Sequence, residues 1–134
     1  MRGGPDFRNL PPELNALSGK AIDAAYKVHT VLGPGLLESV YEQCLRHELL
    51  RRGVPCRSQV SMPIHYDGIV IDSGYRIDLI AADTLIIELK AVDSLHPIHS
   101  AQLLTYLKLT GLRLGLLVNF NVPLLRDGLR RIVL

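Results

Sequence analysis

The chain has 134 residues, of which 48% are hydrophobic and 21% charged, and its formal net charge is +2. A chain of this length can bury about two thirds of its unfolded surface around one core, and the composition is that of a globular rather than a disordered protein. No stretch approaches the roughly 20 apolar residues of a membrane helix, and residues 1–12 lack the apolar run of a signal peptide. We therefore expect one cytoplasmic domain with no membrane segment.

Charge and cysteine content say little about partners. Two clusters of basic residues could contact a nucleic-acid backbone, and solvated helix and strand faces explain them equally well. The first cluster comprises Arg46, His47, Arg51, Arg52 and Arg57, and the second comprises Arg126, Arg130 and Arg131. Cys44 and Cys56 are the only cysteines, too few for a disulfide framework and without the spacing of a zinc site. We expect both to be structural thiols.

Two helices are predicted in the first part of the chain. Residues 1–15 begin with a Gly- and Pro-rich stretch without periodicity and are interpreted as a flexible arm before a single domain over residues 16–134. The first helix is expected to start at Ser18 as N-cap and to stop at residues 33–35. Its apolar positions are Ile22, Ala25, Tyr26, His29 and Leu32, and we expect His29 to be a satisfied core histidine rather than a ligand. The second helix covers residues 36–52, with an apolar face of Leu37, Val40, Tyr41, Cys44, Leu45 and Leu49.

Strands, a third helix and further strands follow. Residues 60–64 and 69–71 flank Asp67-Gly68, which is a strong hairpin signal, and residues 75–80 and 85–90 flank a short turn at 82–84. Pro97 suits the first turn of a helix that runs to about Thr110, with Ile98, Ala101, Leu104 and Leu107 expected to face inward. Residues 114–120 are typical of a central strand covered on both faces, and residues 130–134 of a last strand. The order predicts an α/β or α+β fold, a β-sheet flanked by helices.

Two carboxylates are predicted to face each other across the second pair of strands. If the hairpin is centred on Asp83, Asp78 and Glu88 are each five residues from its centre and lie opposite each other, with Cβ atoms about 5 Å apart. Lys90 follows on the same face as Glu88, and Arg76 shares a face with Asp78, because side chains alternate along a strand. Opposed like charges destabilise a sheet, which favours a cation between them.

A divalent ion such as Mg²⁺ suits this arrangement, because it is bound by one or two carboxylates together with waters and phosphate oxygens. Lys90 could then hold a phosphate or orient an attacking water. The alternative is a structural ion-pair cluster at a sheet rim. The spacing alone does not decide between the two.

Further motifs resemble a known family. Asp78 with Glu88-Leu89-Lys90 resembles the PD-(D/E)xK nuclease motif, with Ile77 in place of the usual Pro. Residues 35–41 (GLLESVY) resemble the signature of the GxxExxY proteins, and residues 101–107 (AQLLTYL) resemble the Q-x-x-x-Y motif of RecB-type nucleases. The resemblance covers about residues 29–134. It implies a restriction-endonuclease-like mixed sheet flanked by helices, in the order α-α-β-β-β-α-β with a further strand.

The resemblance also implies roles for individual residues. Asp78 and Glu88 would be metal ligands, Glu38 would contribute to the metal site directly or through water, and Lys90 would be the catalytic lysine. Gln102 and Tyr106 would support the active site or touch the nucleic acid. From their positions in the sequence, Arg76 on the strand of Asp78 and His99 on the helix of Gln102 and Tyr106 are also expected to bind the substrate.

The sequence therefore predicts a Mg²⁺-dependent nuclease, with Mn²⁺ as a possible substitute and DNA favoured over RNA as substrate. A homodimer or a partner protein could supply recognition. The alternative function is a catalytically silent module that binds nucleic acid or protein and keeps the nuclease fold, and a purely structural subunit is a third class.

Overall fold

A computed structural model describes residues 10–134 of the chain. Within this range the chain forms three α-helices and seven β-strands. The helices are α1 (Pro12–Leu32), α2 (Glu38–Arg51) and α3 (Pro97–Thr110). The strands are β1 (Cys56–Ser61), β2 (Ile64–Tyr66), β3 (Ile69–Ile71), β4 (Arg76–Ala81), β5 (Leu85–Lys90), β6 (Leu114–Asn119) and β7 (Leu129–Val133). A short 3-10 helix, Leu125–Gly128, precedes β7.

Five of the strands described in residues 10–134 form one mixed sheet in the order β1-β4-β5-β6-β7. All neighbours in it are antiparallel except β5 and β6, which are parallel. A parallel pair needs a crossover connection, and α3 provides it. The predicted fold class, a mixed sheet flanked by helices, is confirmed.

The sheet is covered on both faces. One hydrophobic cluster packs α1 and α2 against the sheet, and a second packs α3 against the other face. Every residue of β6 is buried, which confirms the prediction of a central strand. The Gly115 position of β6 lets α3 approach closely, because a Cβ there would lie 2.7 Å from Leu103 Cδ1.

The start of the first helix differs from the prediction. Helix α1 begins at Pro12, so residues 12–15 belong to it and not to an arm, while residues 1–9 of the predicted arm lie outside the described residues. Ser18 is not an N-cap: it is buried inside the helix and its hydroxyl donates to the carbonyl oxygen of Asn15 at 3.2 Å. A proline suits the first helical turn, where its missing N–H costs nothing. The proline is therefore a stronger signal for the start of this helix than the serine. No helix within residues 10–134 is long and apolar enough to cross a membrane.

The buried faces of α2 and α3 are narrower than predicted. In α2 the buried residues are Tyr41, Leu45 and Leu49, whereas Leu37 and Val40 are exposed. In α3 they are Leu103, Tyr106 and Leu107, and Ile98 and Ala101 are exposed. Both helices carry apolar residues on more than one side, so periodicity does not select the face that meets the sheet.

The first hairpin is also shorter than predicted. Residues 60 and 61 belong to β1 and pair with β4, and the hairpin of β2 and β3 begins at Ile64. Its turn is at Asp67-Gly68, as predicted, where both residues have positive φ, the conformation of a type I′ turn. This hairpin forms a separate two-stranded sheet.

Candidate active site

Asp78 and Glu88, hereafter the acid pair, face each other across β4 and β5. The strands pair as Leu79–Ile87, Ile80–Ile86 and Ala81–Leu85, which confirms the register predicted from the turn. Beyond Leu79, the two side-chain carboxylates accept the hydrogen bonds between the strands. Asp78 N–H donates to Glu88 Oε2 at 2.7 Å, and Leu89 N–H donates to Asp78 Oδ2 at 2.8 Å. With one oxygen, each carboxylate therefore accepts a hydrogen bond from a backbone N–H of the other strand. Its second oxygen takes no part in these two bonds.

Strand β4 is irregular at Asp78. Ile77 and Ile80 pack in the same cluster against α3, although strict alternation would place them on opposite faces of the sheet. Arg76, Asp78 and Ile80, which strict alternation would place together, therefore do not share one regular face. Across from Asp78, between the pairs Ser58–Leu79 and Val60–Ile77, Gln59 has a φ of +52°. Such backbone conformations in a non-glycine residue concentrate at functional sites.

The acid pair is electrostatically unfavourable without a cation. Glu88 is only 5% exposed, and burial, followed by the charge of Asp78, raises its pKa to about 8. Burial also raises the pKa of Asp78, and the hydrogen bond from Leu89 and the charge of Lys90 only partly offset this effect. Near neutral pH the cation-free pair therefore favours holding one proton, chiefly because both groups are buried, and the charge of Asp78 adds the repulsion expected from the sequence.

Lys90 ends β5 and is half-buried. Its charge lowers the pKa of both carboxyl groups of the acid pair. The strand end is fixed from β6: Phe120 N–H donates to the Lys90 carbonyl oxygen at 3.0 Å. The buried Asn119 side chain donates to Val92 O at 2.9 Å and accepts from Val92 N–H at 3.1 Å. These bonds place Lys90 beside the acid pair.

Helix α2 begins with Glu38, next to the same site. A turn held by Tyr41 precedes it: the Tyr41 hydroxyl donates to Gly33 O at 2.6 Å and accepts from Leu36 N–H at 3.1 Å, while its ring stacks on Phe120. Glu38 is solvent-accessible, yet desolvation by its surroundings and then the charge of Asp78 raise its pKa. Glu38 therefore lies within range of the charge of Asp78, and its contribution to a metal site stays a prediction.

Two further residues belong to the site and were missed from the sequence. Glu42 lies one helical turn after Glu38, and its Oε1 accepts a 2.7 Å hydrogen bond from Gln59 Nε2. The same nitrogen lies 3.4 Å from Asp78 Oδ1. Desolvation and then the charge of Asp78 raise the pKa of Glu42. The i, i+4 spacing of Glu38 and Glu42 could have indicated the second carboxylate, whereas no sequence signal indicates Gln59.

The predicted residues of α3 and β4 differ in their burial. Tyr106 is buried, and desolvation, followed by the charges of Glu88 and Asp78, raises its pKa to about 12. Gln102 is half-buried on the same helix. Among residues 10–134, no hydrogen bond joins Gln102 or Tyr106 to the acid pair. Arg76 is exposed at the start of β4.

The two histidines at the start of α3 form a capping arrangement. His99 Nδ1 accepts a hydrogen bond from His96 N–H at 3.2 Å. Desolvation and the nearby charge of Lys90 lower the pKa of His99, which places the ring close to the site. In contrast, His29 packs in the core and its Nε2 lies 2.7 Å from Val122 O, which confirms the expected satisfied histidine.

The donor set of the acid pair fits a hard divalent ion only in part. The described residues contain no group of three or more His, Cys, Asp or Glu side chains arranged to hold a metal. Mg²⁺ does not need one, because it is bound through one or two carboxylates and completes its shell with waters and phosphate oxygens. Asp78 Oδ1 and Glu88 Oε1 lie outside the cross-strand bonds, and a cation would offset the burial that raises both pKa values and the charge of Asp78 that further raises that of Glu88. Cys44 and Cys56 are free thiols, as expected, and take no part.

Comparison with protein families agrees with this geometry. The model of the PD-(D/E)XK nuclease superfamily matches residues 15–132, a range that includes α2, the acid pair, Lys90 and α3. No curated protein and no solved structure gives a significant match. The chain belongs to the PD-(D/E)XK nuclease superfamily.

Proposed function

We propose that the protein is a divalent-metal-dependent nuclease that hydrolyses phosphodiester bonds of nucleic acid, with DNA as the favoured substrate. The observation that carries the proposal is the acid pair: two carboxylates on adjacent strands, one of them 5% exposed, with raised pKa values and a lysine at the end of the same strand. Superfamily membership supports the reaction class. The residues of the GxxExxY-like motif at the start of α2 support the placement of this chain among the GxxExxY proteins.

The proposed roles follow from position. Asp78 and Glu88 would hold the ion through the oxygens outside the cross-strand bonds, with Glu38 contributing through water at the start of α2. A bound Mg²⁺ or Mn²⁺ would supply an activated water and a polarised phosphate. Lys90 would orient the nucleophile and stabilise negative charge that develops on the phosphate. Gln59 would keep Asp78 oriented by its bridge to Glu42.

The remaining predicted residues surround this centre. Arg76 and His99 would contact the substrate strand, one from the exposed start of β4 and one from the start of α3. Gln102 and Tyr106 would form the wall of the site on the α3 side. A homodimer or a partner protein remains our proposal for the source of sequence recognition.

A silent binding module is the second candidate. It is favoured by one observation: both carboxylates of the acid pair accept hydrogen bonds from backbone N–H groups of the opposite strand, a structural role that needs no metal. The two functions differ in turnover, so the test is incubation with end-labelled single- and double-stranded DNA and RNA in Mg²⁺ or Mn²⁺. The nuclease predicts metal-dependent products that the Glu88→Gln variant fails to make. Binding without products in both ions would support the silent module instead.

A further inference from the structure

A cavity of about 290 Å³ opens between α3 and the residues that lead into β4. Its lining includes Ile64, Tyr75, Ile98, Gln102, Thr105 and Tyr106. The walls are therefore mostly apolar and aromatic, with one side-chain amide and the hydroxyl groups of one threonine and two tyrosines. This composition suits a flat ring with polar edges better than it suits an ion or a charged group.

Two aromatic rings form one side of the cavity. Tyr75 is 51% exposed, and its ring packs edge to face on the buried Tyr106, with centroids 6.4 Å apart and planes at 63°. The Tyr75 backbone is held on both sides: its N–H donates to Ser73 Oγ at 3.1 Å, and its carbonyl oxygen accepts from Met62 N–H at 2.9 Å. An accessible aromatic face on a fixed backbone is a suitable stacking platform.

The two tyrosines of the cavity link it to the strand that carries Asp78. Tyr106 lines the cavity and packs in the same hydrophobic cluster as Ile77, the residue before Asp78, and Tyr75 lies three residues before Asp78 in the chain. Arg76, which follows Tyr75, is exposed and positively charged. A strand with its phosphate at the acid pair would therefore have a neighbouring base within reach of the cavity.

We propose that this cavity is a nucleobase pocket, in which Tyr75 stacks on an unpaired base of the strand whose phosphate lies at Asp78 and Glu88. The inference rests on the proposed function and extends it: the substrate is single-stranded, or has an unpaired nucleotide next to the cleaved bond. Gln102 and Thr105 supply hydrogen-bonding groups for the edge of the base. Stacking on a tyrosine accepts any base, so the pocket selects strand state and not sequence.

The test is binding of a fluorescent single-stranded oligothymidine, measured by anisotropy in Mg²⁺. Every protein carries Lys90→Ala so that the strand stays intact, and circular dichroism checks that each variant is folded. Tyr75→Ala is expected to weaken binding about 5- to 100-fold, the range for loss of one stacked base, while Tyr75→Phe retains the affinity.

Tyr66→Ala is the matched control, because Tyr66 is 67% exposed on the hairpin and does not line the cavity. Ile98→Ser tests the opposite wall without touching Tyr75 and is expected to weaken binding as well.

An oligonucleotide with abasic positions completes a thermodynamic cycle. Tyr75→Ala should have no effect on the abasic strand, because the interaction it removes is already absent. Equal affinity of the Tyr75→Ala and control proteins for oligothymidine would overturn the pocket while leaving the nuclease intact. Absence of any nucleic-acid binding would overturn both. A concentration-dependent dimer in sedimentation that Tyr75→Ala abolishes would assign the cavity to a second copy of the chain and also contradict the proposal.

Discussion

The Glu88→Gln substitution should make the metal-free protein more stable at alkaline pH. Glutamine keeps the oxygen that accepts the Asp78 N–H bond and removes the charge that burial and Asp78 disfavour. The folded-state pKa of about 8 lies above the ordinary value of 4.5, so the folded protein binds the proton more tightly than the unfolded chain does. The contribution of Glu88 to the stability of the wild type is therefore greatest below about pH 4.5 and is lost as the pH rises toward 8.

The size of the effect follows from that pKa difference. At about 1.4 kcal/mol for each pH unit, the interval from 4.5 to about 8 gives an upper bound of about 5 kcal/mol. The bound is not reached if Asp78 takes the proton instead, since the two carboxyls titrate as a pair. Each kcal/mol shifts the melting temperature of a domain of this size by about 4 °C.

Thermal melts in chelator at pH 5 and pH 8.5 measure this effect. We expect wild type and Glu88→Gln to differ little at pH 5 and the variant to melt higher at pH 8.5. Glu48→Gln is the control of opposite sign, because the hydrogen bond from Arg52 lowers the pKa of Glu48 and its loss should not stabilise the protein. A Glu88→Gln protein that melts below wild type at pH 8.5 without metal would refute the reasoning. In saturating Mg²⁺ the order should reverse, because only wild type gains the binding energy.

Three further substitutions test separate parts of the site. Lys90→Ala should abolish cleavage of a labelled oligonucleotide while metal affinity measured by calorimetry is kept, because Lys90 is assigned to the substrate and not to the ion. Gln59→Ala removes the amide between Glu42 and Asp78 and should slow cleavage at least about tenfold; an unchanged rate would remove Gln59 from the site. Asn119→Ala leaves the Val92 N–H and carbonyl without their partner and should cost about 3 kcal/mol of unfolding free energy in urea.

The acid pair could be predicted because its geometry is local. The short turn at 82–84 fixes the register of β4 and β5, and Leu79–Ile87 pairing follows from it. Once the register is set, the carboxylates of Asp78 and Glu88 must meet. Lys90 lies on the same strand as Glu88, so the position of its positive charge next to the acid pair could be predicted as well.

The helix faces could not be predicted from periodicity alone. Ile98 and Ala101 are as apolar as Leu103, yet Leu103 is buried because the missing side chain of Gly115 leaves room for it on the sheet. That contact joins residues from α3 and β6 and leaves no pattern within the helix itself. The exposed Ile98 then becomes part of the cavity between α3 and the residues that lead into β4.

Gln59 and Glu42 were missed for a related reason. Their hydrogen bond joins the edge strand β1 to α2, and it depends on how the helix lies against the sheet. A lone glutamine in a polar strand carries no signal of its own, and the left-handed φ of Gln59 is a property of the folded chain. The irregularity of β4 at Asp78 lies in the same region, and the alternation rule does not predict it either.

The central claim is that Asp78 and Glu88 together hold a divalent ion. Calorimetric titration of Mn²⁺ and Mg²⁺ into the wild-type protein, Asp78→Asn and Glu88→Gln at pH 8.5 tests it most directly, because this pH lies above the raised pKa of Glu88 and most of that carboxyl group is then charged in the wild type. We expect weak binding to the wild type and none to either variant, since each carboxylate supplies both charge and an oxygen. Equal metal affinity in all three proteins would contradict the assignment of the site.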